Sequence, residues 1–226
     1  MNDFPNLRIP LWLGLAKKDV VFVRPFIFGP WLAVALTALL TTLLGPNDSR
    51  AASWSLLCSG LGILCAYFGS VDAAALDCPW NPAGFLVGKP VSPRVVFAVK
   101  LAVLFALLVF PLTLFPAAAR RENLFDAKAL SIAMAVLAVV VGTSALFKSK
   151  WPAVLVHFVM AYGFGAMLPS KALLRVGAAD AFELEFASVA VIVVCIAVVG
   201  VQRQWIAIVA WTLAASVTVG GFYARS

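Results

Sequence analysis

Few residues in this 226-residue chain have the type and spacing to do chemistry. Asp72 stands out, because it lies toward the end of a long apolar stretch, where an acid at mid-membrane depth costs about 2.5–3.5 kcal/mol on insertion scales. Two readings are open for it. It is either a coupling or proton-linked group, or a helix-end charge paired with Lys100 or Lys89; its place near a span boundary favours the second. Gly84–Lys89 has a superficial likeness to a phosphate loop, but the spacing departs from G-x-x-x-x-G-K-[ST] and Pro90 follows the lysine. His157 is the only histidine, which argues against a multi-histidine metal or haem site in this chain and for a hydrogen-bonded residue within a bundle. Gly142-Thr143-Ser144-Ala145 is no nucleophile motif, and Ser144 is expected to hydrogen-bond within its own bundle. Cys58, Cys65, Cys78 and Cys195 form no CxxC pair and read as small packing residues rather than a disulfide or metal set. No catalytic residue and no metal ligand is assigned: the chain is read as a non-enzyme without a cofactor of its own.

The elements that must hold these residues are membrane helices. Hydrophobic residues make up 63% of the chain and charged ones 12%, with a mean hydropathy of +1.02. Soluble domains carry about 25% charged residues. Uncharged windows cover 25–47, 51–71, 101–119, 129–147, 151–170, 186–202 and 204–224. A helix needs about 20 apolar residues to cross hydrocarbon, and only helices or closed barrels satisfy their backbone groups there. Strand-like alternation is absent. The expected fold is all-α: a polytopic membrane helical bundle of six or seven transmembrane helices with an N-terminal interfacial helix.

Residues 1–24 are expected to form that interfacial amphipathic segment, since Leu11, Leu15 and Phe22 recur at helical intervals around the charged Lys17-Lys18-Asp19. Arg24-Pro25 would open the first span of a single transmembrane domain, 25–224, and Gly45-Pro46-Asn47-Asp48 would turn the chain into the second span, about 52–76. Pro79 and Pro82 stop that helix. A third span starts near Val95, kinks at Pro111 and exits at Pro116; a fourth covers about 129–147 and a fifth about 151–168. Residues 186–224 hold one charge, Arg203, and are too long for a single crossing, so they are expected to hinge at Gln202-Arg203-Gln204. Met134, Met160, Met167, Phe158 and Phe164 read as lipid-facing or packed side chains, and Trp31, Trp54, Trp151 and Trp205 as interfacial anchors.

The net charge of +7 is spread in a way that favours a membrane over nucleic acid. With the N-terminus cytoplasmic and seven spans, the inner segments hold ten basic residues (Arg8, Lys17, Lys18, Arg24, Lys89, Arg94, Lys100, Lys148, Lys150 and Arg203) and four acids. The outer segments hold seven basic residues and six acids. This positive-inside bias puts the N-terminus and the loop 77–94 in the cytoplasm, with the protein in the cytoplasmic (inner) membrane.

The stretch from Ser70 to Lys100 resembles the first cytoplasmic loop of the ABC-2 type transporter permeases. In that family an interfacial helix precedes span 1, and span 2 ends in an acid. A short coupling helix then leads through leucines to Pro-Val/Ile-Ser and a lysine entering span 3. The matching positions here are residues 4–23, Asp72 or Asp77, Phe85-Leu86, Pro90-Val91-Ser92 and Lys100, within a resemblance that covers about residues 4–105. Where the family carries a glycine-threonine-glutamate type stretch, this chain has Pro79-Trp80-Asn81-Pro82-Ala83-Gly84. The resemblance implies a permease subunit of an exporter for a hydrophobic or amphipathic substrate. A separate nucleotide-binding subunit would supply ATP and Mg and dock on Asp77, Phe85, Leu86, Pro90, Val91, Ser92 and Arg94. It also implies a homodimer or heterodimer of permeases in contact with membrane lipids, and no nucleic acid. The alternative is a non-catalytic scaffold or assembly subunit of a larger membrane complex.

Overall fold

The structure is a computed structural model that describes residues 11–76, 92–119, 127–147, 149–167, 181–199, 201 and 204–213. Among these the chain is all-helical. Helix α1 spans Leu11–Leu44 and α2 Ser49–Leu76. Helix α3, Pro93–Leu104, continues through a π-helical turn, Phe105–Val109, into α4, Phe110–Thr113, and α5, Phe115–Ala118. Then follow α6, Ala127–Ala145, α7, Lys150–Met167, α8, Ala181–Val199, and α9, Gln204–Leu213. Among the described residues three stretches are long and apolar enough to cross a membrane, Leu13–Leu44, Ser49–Ala75 and Pro93–Thr113, as expected of an integral membrane protein.

Helix α1 buries one stripe, Leu15, Asp19, Val23, Pro30, Ala33, Thr37 and Thr41, at helical spacing. Its opposite side exposes Val21, Phe28, Leu32, Leu39 and Leu43, and α2 likewise exposes Leu56, Leu57, Leu61 and Leu64. Water-soluble monomers rarely leave apolar faces of this extent uncovered, whereas lipid solvates them without penalty. The two helices form a hairpin through the expected turn. Gly45, at φ 91°, ends α1 in the left-handed conformation and its N–H donates to the Thr41 carbonyl at 3.0 Å. Asp48 then caps α2, its Oδ1 accepting from the Arg50 N–H at 2.7 Å.

The hairpin is tight because small residues meet across it. A Cβ placed on Gly29 would lie 2.5 Å from the Cβ of Cys65, and one on Gly62 would lie 3.1 Å from that of Ala33. On Gly69 it would meet the Cβ of Phe26 at 2.9 Å and Leu108 Cδ1 at 3.1 Å, so α2 is pressed between α1 and the π-helical turn. A continuous core runs from Val23 and Ala66 through Leu104 and Leu108 to Leu137, Val141 and Cys195, joining α1, α2, α3, α6 and α8.

The prolines act differently along the chain. Arg24-Pro25 does not start a new helix: α1 is continuous across both Pro25 and Pro30. A proline ring suits helical φ and removes one ladder bond, a loss that packing against neighbouring helices can offset. Near Pro111 the chain resets its register with the π-helical turn, the Phe110 N–H donating to the Phe105 carbonyl five residues back. The long apolar helix ends at Thr113, close to the expected exit, and Pro116 sits in the first turn of the four-residue α5, where a missing N–H costs nothing. The remaining boundaries fall close to expectation, including the interruption between Val199 and Gln204.

Candidate functional site

The Asp19–Lys100 and Asp72–Lys150 ion pairs lie toward one end of the bundle. The α1–α2 turn lies at the other, so the beginning of α1, the end of α2 and the start of α3 converge here. Lys100 is the centre of the group. It enters on the second turn of α3, below Pro93, which fixes the first helical position and holds Ser92 in an extended conformation. Its ammonium donates to Asp19 Oδ1 at 2.9 Å and to the Ala73 carbonyl at 2.8 Å. Both charged side chains are almost fully enclosed, at 3% and 2% exposure.

Each partner has a local reason to be there. The Ala73 carbonyl lies in the last described turn of α2, toward the negative end of its dipole. A lysine donor satisfies that carbonyl and complements the dipole. Asp19 supplies the counter-charge without which a buried ammonium would be strongly unfavourable. Lys18 Nζ also lies 3.5 Å from Asp19 Oδ1 at the rim. Ser70, Val71, Ala73, Ala74 and Ala75 are all buried where α2 packs against α1, and the long Lys100 side chain spans from α3 to the Ala73 carbonyl.

A second set of contacts ties α2 to α7. Lys150 Nζ is 3.1 Å from Asp72 Oδ1, with side-chain exposures of 47% and 20%, and it also lies over the Trp151 ring at 5.9 Å from the centroid. Deeper along the same pair of helices, the Tyr67 hydroxyl and His157 Nδ1 are 3.0 Å apart, with the rings edge-on. His157 is therefore the hydrogen-bonded bundle residue that was expected. Gln204 Nε2 donates to the Leu146 carbonyl at 2.6 Å, closing the end of α6 with the start of α9.

Two expectations about these residues are revised. Asp72 is a charge near the end of α2 with a basic partner, as expected, but that partner is Lys150 and not Lys100. Lys89, the other partner considered, lies outside the described residues. The Ser144 hydroxyl makes no hydrogen bond among the described residues, and neither does the buried hydroxyl of Thr143. Among the described residues the deeply buried acid is Asp19, which sequence reasoning left within a charged cluster. The signal was present: Asp19 stands four residues from both Leu15 and Val23, on the stripe that α1 buries.

Of the positions proposed for docking a partner, Asp77, Phe85, Leu86, Pro90 and Val91 lie outside the described residues. Ser92 and Arg94 are exposed at the start of α3, next to the buried Lys100 cluster, and the Ser92 carbonyl accepts from the N–H groups of Val95 and Val96 at 3.0 and 3.2 Å. Phe158, Trp151 and Trp205 are exposed, as lipid-facing or interfacial side chains should be. Among the described residues no three His, Cys, Asp or Glu side chains converge as a metal site. Compared with known protein families, curated proteins and solved structures, the chain matches none.

Proposed function

We propose that this protein is the transmembrane permease subunit of an ABC-2 type exporter in the cytoplasmic membrane, with its N-terminus in the cytoplasm. It would move a hydrophobic or amphipathic substrate using a separate ATPase subunit, and ATP and Mg would act only through that partner. The observation that carries this reading is the Lys100 cluster. A permease without its own ATPase must receive a push at one surface and hand it to membrane helices. The connection 77–91 joins α2 to α3, and one ammonium holds the end of α2, the start of α3 and the first part of α1 together at its base. A loop rooted in such a fixed point is suited to passing on force, whereas a loop between loosely packed helix ends would absorb it.

Helix α1 supports the same picture. Thirty-four residues measure about 51 Å as a helix, against about 30 Å of hydrocarbon. The excess leaves room for an interfacial portion carrying Lys17, Lys18 and Arg24. Permeases of this kind work in pairs, and the exposed apolar faces of α1 and α2 leave surface for a second copy or a related subunit as well as for lipid.

The test is purification in mild detergent. An ATP-binding subunit should accompany the protein, and Phe85→Ala or Pro90→Gly should release it while the membrane subunit stays folded. Recovery without any nucleotide-binding partner, but with other integral membrane subunits, would replace this reading with that of a scaffold or assembly subunit.

A further inference from the structure

We infer that Lys100 is a positioning residue that couples the end of α2 to the first part of α1, so that a displacement at the 77–91 connection is carried into α1. The inference deepens the permease reading and rests on it only for the source of the push. Three observations bear on it. Lys100 Nζ holds two groups on two different helices, Asp19 Oδ1 at 2.9 Å and the Ala73 carbonyl at 2.8 Å, while its own backbone belongs to a third. All of this lies out of solvent, where a broken contact is not replaced by water and the three helix segments must move together or separate at high cost. Finally, α1 is unbroken from Leu11 to Leu44, so movement at Asp19 reaches the tightly packed Gly29 and Ala33.

A merely structural ion pair and a coupling joint predict different behaviour. Replacing both charges with apolar groups of similar volume removes the buried charges together and is often neutral or stabilising. If the pair only stabilises the fold, Asp19→Leu with Lys100→Met should therefore behave as the original protein in every respect. If the pair couples, the double variant should fold yet lose communication between the connection and α1.

The experiment uses the full chain in detergent, with its cysteines replaced by alanine and a single reporter introduced as Lys17→Cys on the exposed side of α1. The reaction rate of that cysteine with a water-soluble maleimide is measured with and without two glycines inserted before Ser92. The insertion should change the rate by about threefold or more when Asp19 and Lys100 are present. In the Asp19→Leu/Lys100→Met background the same insertion should leave it unchanged, with thermal stability no lower than the parent. An equal response in both backgrounds, or no response in the parent, would overturn the inference. No ATPase takes part in the measurement, so its outcome is separate from that of the co-purification test.

Discussion

At the scale of single residues, the buried charges decide most. Removing one member of an enclosed ion pair leaves the other uncompensated, so Lys100→Met alone should destabilise the bundle by about 3–5 kcal/mol. It should be read as a large drop in the thermal midpoint of the detergent-solubilised protein, and adding Asp19→Leu should recover most of it. By contrast, Asp72→Asn should cost under about 1 kcal/mol, because the Asp72–Lys150 pair is partly open to solvent and screened. A thermal midpoint for Asp72→Asn as low as that for Lys100→Met would reverse this ranking. The sequence drew attention to Asp72, whereas Asp19 is the more deeply enclosed of the two acids. Asp72 interrupts an apolar run and is conspicuous for that reason, while Asp19 sits beside two lysines and resembles a solvated cluster. Only its register with Leu15 and Val23 marks it as inward-facing, and its partner lies 81 positions away, a pairing that no local pattern encodes.

At the scale of elements, helix ends were legible and helix contacts were not. The glycine-proline-asparagine-aspartate turn, the starts of α6 and α7 and the interruption before α9 all follow from breakers and charge placement, which act within a few residues. The proline effects depend on what surrounds the helix: α1 runs through two prolines, and a π-helical turn seated against Gly69 of α2 precedes Pro111 in α4. Glycines make the same distinction testable. Gly29 faces Cys65 at a distance no side chain could share, so Gly29→Ala should cost about 1–3 kcal/mol through overpacking. Gly60, on the same hairpin, has open space where its Cβ would go, so Gly60→Ala should stabilise α2 by about 0.5–1 kcal/mol. Thermal unfolding of the two variants side by side checks both signs, and a Gly29→Ala protein as stable as Gly60→Ala would contradict the close approach of α1 and α2.

At the scale of the whole molecule, the arrangement fixes which ends share a side of the membrane, independently of how many spans there are. The turn at Gly45–Asp48 joins α1 to α2 at one end. Along α2 and α7, Tyr67 meets His157 and Asp72 meets Lys150, so numbering rises on one helix as it falls on the other and the two are antiparallel. Lys150 therefore lies at the end of α2 opposite the turn, the same end as Arg94 at the start of α3. Cysteines introduced at Arg94 and at Lys150 should react with an impermeant reagent from one side of sealed vesicles, and a cysteine at Asn47 only from the other. The permease proposed above requires the first side to be the cytoplasmic one, where an ATPase subunit would dock. Labelling of Arg94 and Lys150 from opposite sides would break the antiparallel pairing of α2 and α7. Labelling of both from outside would keep the fold and remove the permease reading, because its docking surface would then face away from any source of ATP.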